Sequence, residues 1–133
     1  MAETVWNLLT DVNSWPDWHP GVTHAHLDGP FAAGAIFQWK ANGVKIVSTV
    51  QETEPYRHIG WTGKAFGTEA VHTWTLIAKE NGVLLKTEES FDGWLVKLFT
   101  GMMQKSLEKA LDVWLVSLKA KAEQLSGTSN RTR

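Results

Sequence analysis

Residues 94–125 read WLVKLFTGMMQKSLEKALDVWLVSLKAKAEQL, without a proline. Leu107, Leu111, Trp114, Leu118, Ala122 and Leu125 recur at spacings of three and four. That places an apolar stripe along one face of an α-helix. Lys105, Glu108, Lys109, Asp112, Lys119, Lys121 and Glu123 carry the charge, mostly off the stripe. Gly127 is the expected stop, and such a helix would be roughly 48 Å long. One amphipathic helix cannot bury its stripe alone, so the rest of the chain must supply a facing layer. Gly101 interrupts the helix beside Met102 and Met103. A glycine there costs about 1 kcal/mol relative to alanine. It marks either a kink that leaves room for a ligand, with adaptable methionines as wall, or ordinary core packing.

Upstream the period changes to two. Residues 22–27, 35–41, 44–54, 58–65, 69–79 and 83–91 read as six strands, and Asn42-Gly43 and Asn81-Gly82 read as hairpin turns. Short strands joined by tight turns imply an antiparallel meander, which would curve around the helix. Residues 4–9 read as a short helix. Trp15-Pro16-Asp17-Trp18-His19-Pro20-Gly21 reads as a loop or one helical turn. Its two tryptophans, Trp15 and Trp18, are expected to form a lid. No repeat or linker divides the chain. The expectation is one domain over residues 1–125 and a disordered tail over 126–133.

Composition narrows the function classes. A net charge of −1 gives no basic face for nucleic acid. The chain has no cysteine, which excludes disulfides, thiol chemistry and Cys-based zinc sites. No apolar run approaches the roughly 20 residues that span a bilayer. No basic segment followed by an apolar one opens the sequence, so a cytoplasmic setting is expected. The eight tryptophans fill a small core, or in part line a cavity for an apolar or aromatic molecule.

Register points to a site. With Asn81-Gly82 as a two-residue turn, Leu76 faces Thr87, Trp74 faces Glu89 and His72 faces Phe91. Alternate residues share a face, so His72, Trp74 and Leu76 join Thr87, Glu89 and Phe91 on the inner one. His72 and Glu89 are then polar neighbours on an apolar face, placed diagonally. A buried carboxylate needs a partner, and three readings remain: a polar anchor for a ligand, an acid–base pair, or a pair that only fixes the core. Phe37, Trp39, Ser48, Val50 and Trp61 are further inward candidates, and Leu98 and Met102 face them from the helix. Arg57 and His58 read as surface residues. His24 and His26, with His19 nearby, lack the carboxylate motif of a metal site, and neither metal nor cofactor is expected.

Trp-Asn-Leu-Leu-Thr-Asp-Val (6–12) and Trp-Pro-Asp-Trp-His-Pro (15–20) resemble the opening helices of the SRPBCC superfamily. That group includes START-like lipid-binding domains, the birch-pollen allergen type and bacterial polyketide cyclase/dehydrase-like proteins. Pro55 through Trp61-Thr-Gly, His72-Thr-Trp-Thr-Leu and Glu89-Ser-Phe-Asp-Gly resemble the last of these. The resemblance covers about residues 4–125. It implies an α+β helix-grip fold, a curved antiparallel sheet around a long C-terminal helix with a hydrophobic tunnel between. It implies binding of lipids, polyketides or other apolar molecules, and in some members cyclase chemistry. The family's first strand, before the first helix, has no counterpart here. A trimmed chain, direct pairing of the strand's former neighbours, and a homodimer are the alternatives. The leading expectation is binding of a small hydrophobic ligand. The alternatives are a cofactor-independent cyclase or dehydratase using His72 and Glu89, and a protein-interaction module with a filled cavity.

Overall fold

The computed structural model describes residues 2–80, 82–93 and 100–131. Helix α1 (Ala2–Thr10) and a 3₁₀ turn (Val12–Asp17) open the chain. Six strands follow, β1 (Val22–Leu27), β2 (Ile36–Ala41), β3 (Val44–Glu54), β4 (His58–Ala65), β5 (Thr68–Lys79) and β6 (Gly82–Asp92). Helix α2 (Thr100–Arg131) closes it. The strands pair antiparallel in sequence order, β1-β2-β3-β4-β5-β6, as one sheet. Register slips between Val22 and His24 and between Val50 and Glu52. Such bulges bend strands, and the curved sheet with its long helix is the helix-grip α+β fold. Residues 94–99, the expected first turns of the helix, lie outside the described residues.

The first hairpin turns where expected. Ala41 pairs with Val44, and Asn42 and Gly43 take φ of 50° and 82°, the positive values a tight two-residue hairpin requires. The last hairpin differs from the sequence reading by two residues. Lys79 pairs with Gly82, two positions earlier than the expected turn allows. Gly82 adopts φ 156°, which an L side chain resists, and joins the ladder instead of the turn. Because side chains alternate with period two, the displacement keeps every residue on its expected face. It also brings His72 directly opposite Glu89, not diagonal to it.

The core is a tryptophan cluster. Trp15, Trp61 and Trp74 are 0–1% exposed. Trp114 on α2 reaches into them, with ring centroids 5.0 Å from Trp15, 5.6 Å from Trp74 and 5.8 Å from Trp39. Two indole N–H groups find partners: Trp15 donates to Leu9 O at 3.2 Å and Trp39 to Ser48 Oγ at 3.0 Å. Trp15 is therefore a central core residue and not the lid expected of it. The proline-bounded turn places it under the sheet, where its large apolar ring is worth most.

Helix α2 buries Leu107, Trp114, Leu118 and Ala122, as the stripe requires. Leu125, the last residue of the stripe, is 42% exposed. The helical backbone continues past Gly127 to Arg131, where the sequence reading ends it at Leu125. A helical glycine is disfavoured by about 1 kcal/mol and not forbidden. The sheet order is open, so β6 does not pair with β1 among the described residues. Direct pairing of the two edges, one of the alternatives named above, does not occur among the described residues.

Candidate functional site

A cavity of about 840 Å³ lies between the sheet and α2. Its space originates in β4 and β5. Gly63 stands directly opposite Ala70, and Ala65 opposite Thr68, so four consecutive inward positions carry nothing larger than a threonine. A Cβ at Gly63 would already come within 3.3 Å of Ile46 Cγ2. Large rings close the remaining sides: Trp39 from β2, Trp61 from β4, Phe91 from β6 and Trp114 from α2. Lys109, Ala110 and Val113 add the helix wall, and His19-Pro20-Gly21 and Asn42 lie at the end where the two loops meet.

His72 and Glu89 supply polar lining on the β5–β6 side. His72 is 1% exposed, and Glu89 keeps 15% of its side chain accessible. Glu89 Oε2 lies 3.0 Å from His72 Nδ1, close but without the alignment of a hydrogen bond. On the other side of the ring, Nε2 stands 2.7 Å from Thr87 Oγ1, which is 3.2 Å from the Thr73 carbonyl oxygen. The imidazole stacks on Trp74 at 4.9 Å and 20°, and Trp61 lies 5.1 Å away. These contacts fix the ring plane and leave the proton two arrangements. With Thr87 donating to Thr73 O, the hydroxyl accepts from Nε2–H. In the neutral ring Nδ1 then faces Glu89 without a proton. With Thr87 donating to Nε2, Nδ1–H points toward Glu89. The arrangement suits a hydrogen-bonding anchor and also suits proton exchange.

His19 is the residue that sequence reading passed over. It is 5% exposed, its ring stands edge-on to Trp114 at 4.4 Å, and it lines the cavity. Burial pulls its pKa from 6.5 down to about 4, so it is neutral at physiological pH. Nδ1 accepts a hydrogen bond from Gly21 N–H at 3.1 Å, which leaves the ring proton on Nε2. Nε2 has no hydrogen-bond partner among the described residues. The signal available in sequence was the Trp-His-Pro-Gly run that ends the 3₁₀ turn, but that run does not reveal burial.

Of the other expected ligand residues, Trp39, Trp61 and Phe91 line the cavity together with His72 and Glu89. Phe37 and Val50 are fully buried in the core beside it. Ser48 sits behind the wall as the acceptor for Trp39, and Trp74 lies beneath His72. Trp15 and Trp18 pack against Trp114 from the core side. Leu98 and the side chain of Met102 lie outside the described residues. His26 pairs with Asp28 at 3.1 Å and His58 with Glu52 at 2.7 Å, both away from the cavity. Among the described residues no helix is long and apolar enough to cross a membrane.

Residues 1–123 match the family described as polyketide cyclase / dehydrase and lipid transport. Several solved structures share the fold. A hypothetical protein from Helicobacter pylori superposes with a TM-score of 0.81 at 21% identity, covering 92% of this chain and 80% of that one. A START superfamily protein from Mycobacterium smegmatis gives 0.80 at 14% identity, covering 93% and 90%. Ara h 8.0201 gives 0.71 at 11% identity, covering 92% and 90%. Over 84 residues, 62% of this chain, the sequence is 34% identical to proteins named glycogen synthase from two strains of Mycobacterium tuberculosis. The chain spans about a fifth (20%) of the length of those curated relatives.

Proposed function

We propose, from the premise that this chain belongs to the polyketide cyclase / dehydrase and lipid transport family, that it binds a flat hydrophobic molecule between its sheet and α2. The observation that carries this reading is the composition of the cavity wall. Trp39, Trp61, Phe91 and Trp114 enclose about 840 Å³, within the range of small-molecule sites. Rings of this kind bind planar apolar surface over a large area. Against that apolar wall the polar groups are few, and His72 with Glu89 forms the anchor. The carboxylate accepts a hydrogen bond from a hydroxyl on the ligand, while neutral His19 offers an N–H to an oxygen.

A second reading is favoured by one observation, the contact of His72 with both Glu89 and Thr87. A cofactor-independent cyclase or dehydratase would use that dyad to take a proton from one carbon of a poly-carbonyl substrate and return one to an oxygen.

Native mass spectrometry of the purified protein, followed by organic extraction, tests the first reading. A co-purifying apolar molecule, or uptake of an apolar fluorescent probe with quenching of tryptophan emission, is the expected result. Protein that takes up neither would sink it. Glu89→Gln separates the two readings, since it keeps shape and removes the charge. A carrier loses roughly tenfold in affinity for an apolar probe that carries a hydroxyl. An enzyme loses turnover while still binding.

A further inference from the structure

Four ionisable side chains line the cavity among the described residues: His19, His72, Glu89 and Lys109. They divide between the two layers. His72 and Glu89 stand together on the sheet, with 3.0 Å between Nδ1 and Oε2, and His19 is neutral. Lys109 comes from α2 and is the only lysine or arginine on the wall among the described residues. Lys109 and Val113 are four residues apart and share one side of the helix. From the core outward, the helix wall passes from Trp114, which is buried, through Val113 and Ala110 to Lys109, which is exposed. Lys109 therefore stands at the rim, where a lysine stem covers apolar wall and its ammonium keeps its water. Lys105, Glu108, Asp112, Lys119, Lys121 and Glu123 also charge α2, but none of them lines the cavity. Lys109 makes no ion pair among the described residues.

We propose that the hydrophobic molecule is a carboxylic acid, held with its carboxylate at the rim against Lys109 and its ring system among Trp39, Trp61 and Trp114. The inference rests on the cavity reading above and adds a charge and an orientation to it. Electrostatics chooses the orientation. Turned the other way, the acid would bring its charge beside Glu89, where two carboxylates repel and both are taken out of water. At the rim it meets an ammonium and stays partly hydrated, so little desolvation opposes the attraction. A single ammonium matches a single negative charge. That favours a carboxylate over a phosphate monoester, which carries nearly two. The wall is thus polarised between its layers: the sheet offers a carboxylate to a hydroxyl of the ligand, and the helix offers a cation to its acid.

An anthracene carboxylate and its methyl ester test this, because they share one flat ring system and differ in charge at neutral pH. Each is titrated into the purified protein, with quenching of tryptophan emission as the readout. The parent should favour the acid by roughly fivefold at low salt, and added salt should shrink that preference. Lys109→Gln should bring the ratio of the two affinities close to one, and Lys109→Glu should turn it in favour of the ester. Lys105→Gln removes the same charge from the same helix one turn earlier, off the cavity wall, and should leave the ratio near its parent value. A ratio unmoved by Lys109→Gln, an equal loss in Lys105→Gln, or a parent that binds the ester as tightly as the acid overturns the inference. In each of these cases the ester still binds, so the cavity reading survives. A parent that binds neither compound overturns both.

Discussion

His19 illustrates how one buried side chain sets a property of the whole molecule. Folded, the ring stays neutral down to about pH 4, whereas unfolded it takes a proton near 6.5. Between these values the unfolded chain binds more protons, so acid favours unfolding. The stability held by neutral His19 is intact above pH 6.5, falls as the pH drops, and is fully lost below about 4. The gap amounts to on the order of 3 kcal/mol. His19→Asn keeps an acceptor for Gly21 N–H and cannot titrate. Denaturant midpoints measured from pH 7 to 4 should therefore fall less steeply in this variant than in the parent. Parallel curves would remove His19 from the explanation. The neighbouring residues show what a sequence reveals at this scale. His72 and Glu89 stood out because they are polar on an apolar strand face. His19 did not, because a short turn has no period from which to infer a face.

At the scale of elements, the long helix and the hairpins behave differently. Residues 107–122 of α2 follow their stripe faithfully, and Trp114 is the side chain through which the helix engages the sheet. It meets Trp15, Trp39, Trp61 and Trp74 in edge-on or tilted contacts. Trp114→Ala should lower stability by about 3–5 kcal/mol, the range for emptying a large buried site, with the loss read from the urea midpoint at constant slope. A loss under about 1 kcal/mol would mean that the helix is held elsewhere. The β5–β6 hairpin shows a limit of local reasoning. Asn-Gly is a strong turn signal, but Gly82 joined the strand and moved the register by two. Face was legible because it depends on parity, while the pairing partner was not, because it depends on the turn's full geometry.

For the whole molecule, the cavity is a difference between volumes: the sheet curves, the helix crosses it, and small residues on β4 and β5 leave the intervening space open. Ala70→Leu should occupy that space from the lining without touching the tryptophan core. Probe uptake should be lost while the melting temperature stays within about 4 °C of the parent, and unchanged uptake would locate binding outside this cavity. A ligand that does bind should raise stability by about 2.7 kcal/mol at a hundred times its dissociation constant, a gain Ala70→Leu should abolish. The sequence by itself determined the element order, the strand boundaries to within about a residue, the inner face and the helix stripe. All of these rest on local periodicity and turn chemistry. Tertiary structure alone decided that Trp15 is core and not lid, that His72 stands opposite Glu89, that His19 is buried and neutral, and that β1 and β6 do not pair with each other among the described residues. Each of these depends on which distant segments come to lie against each other, and that is set by how curvature, register and side-chain volume are satisfied together.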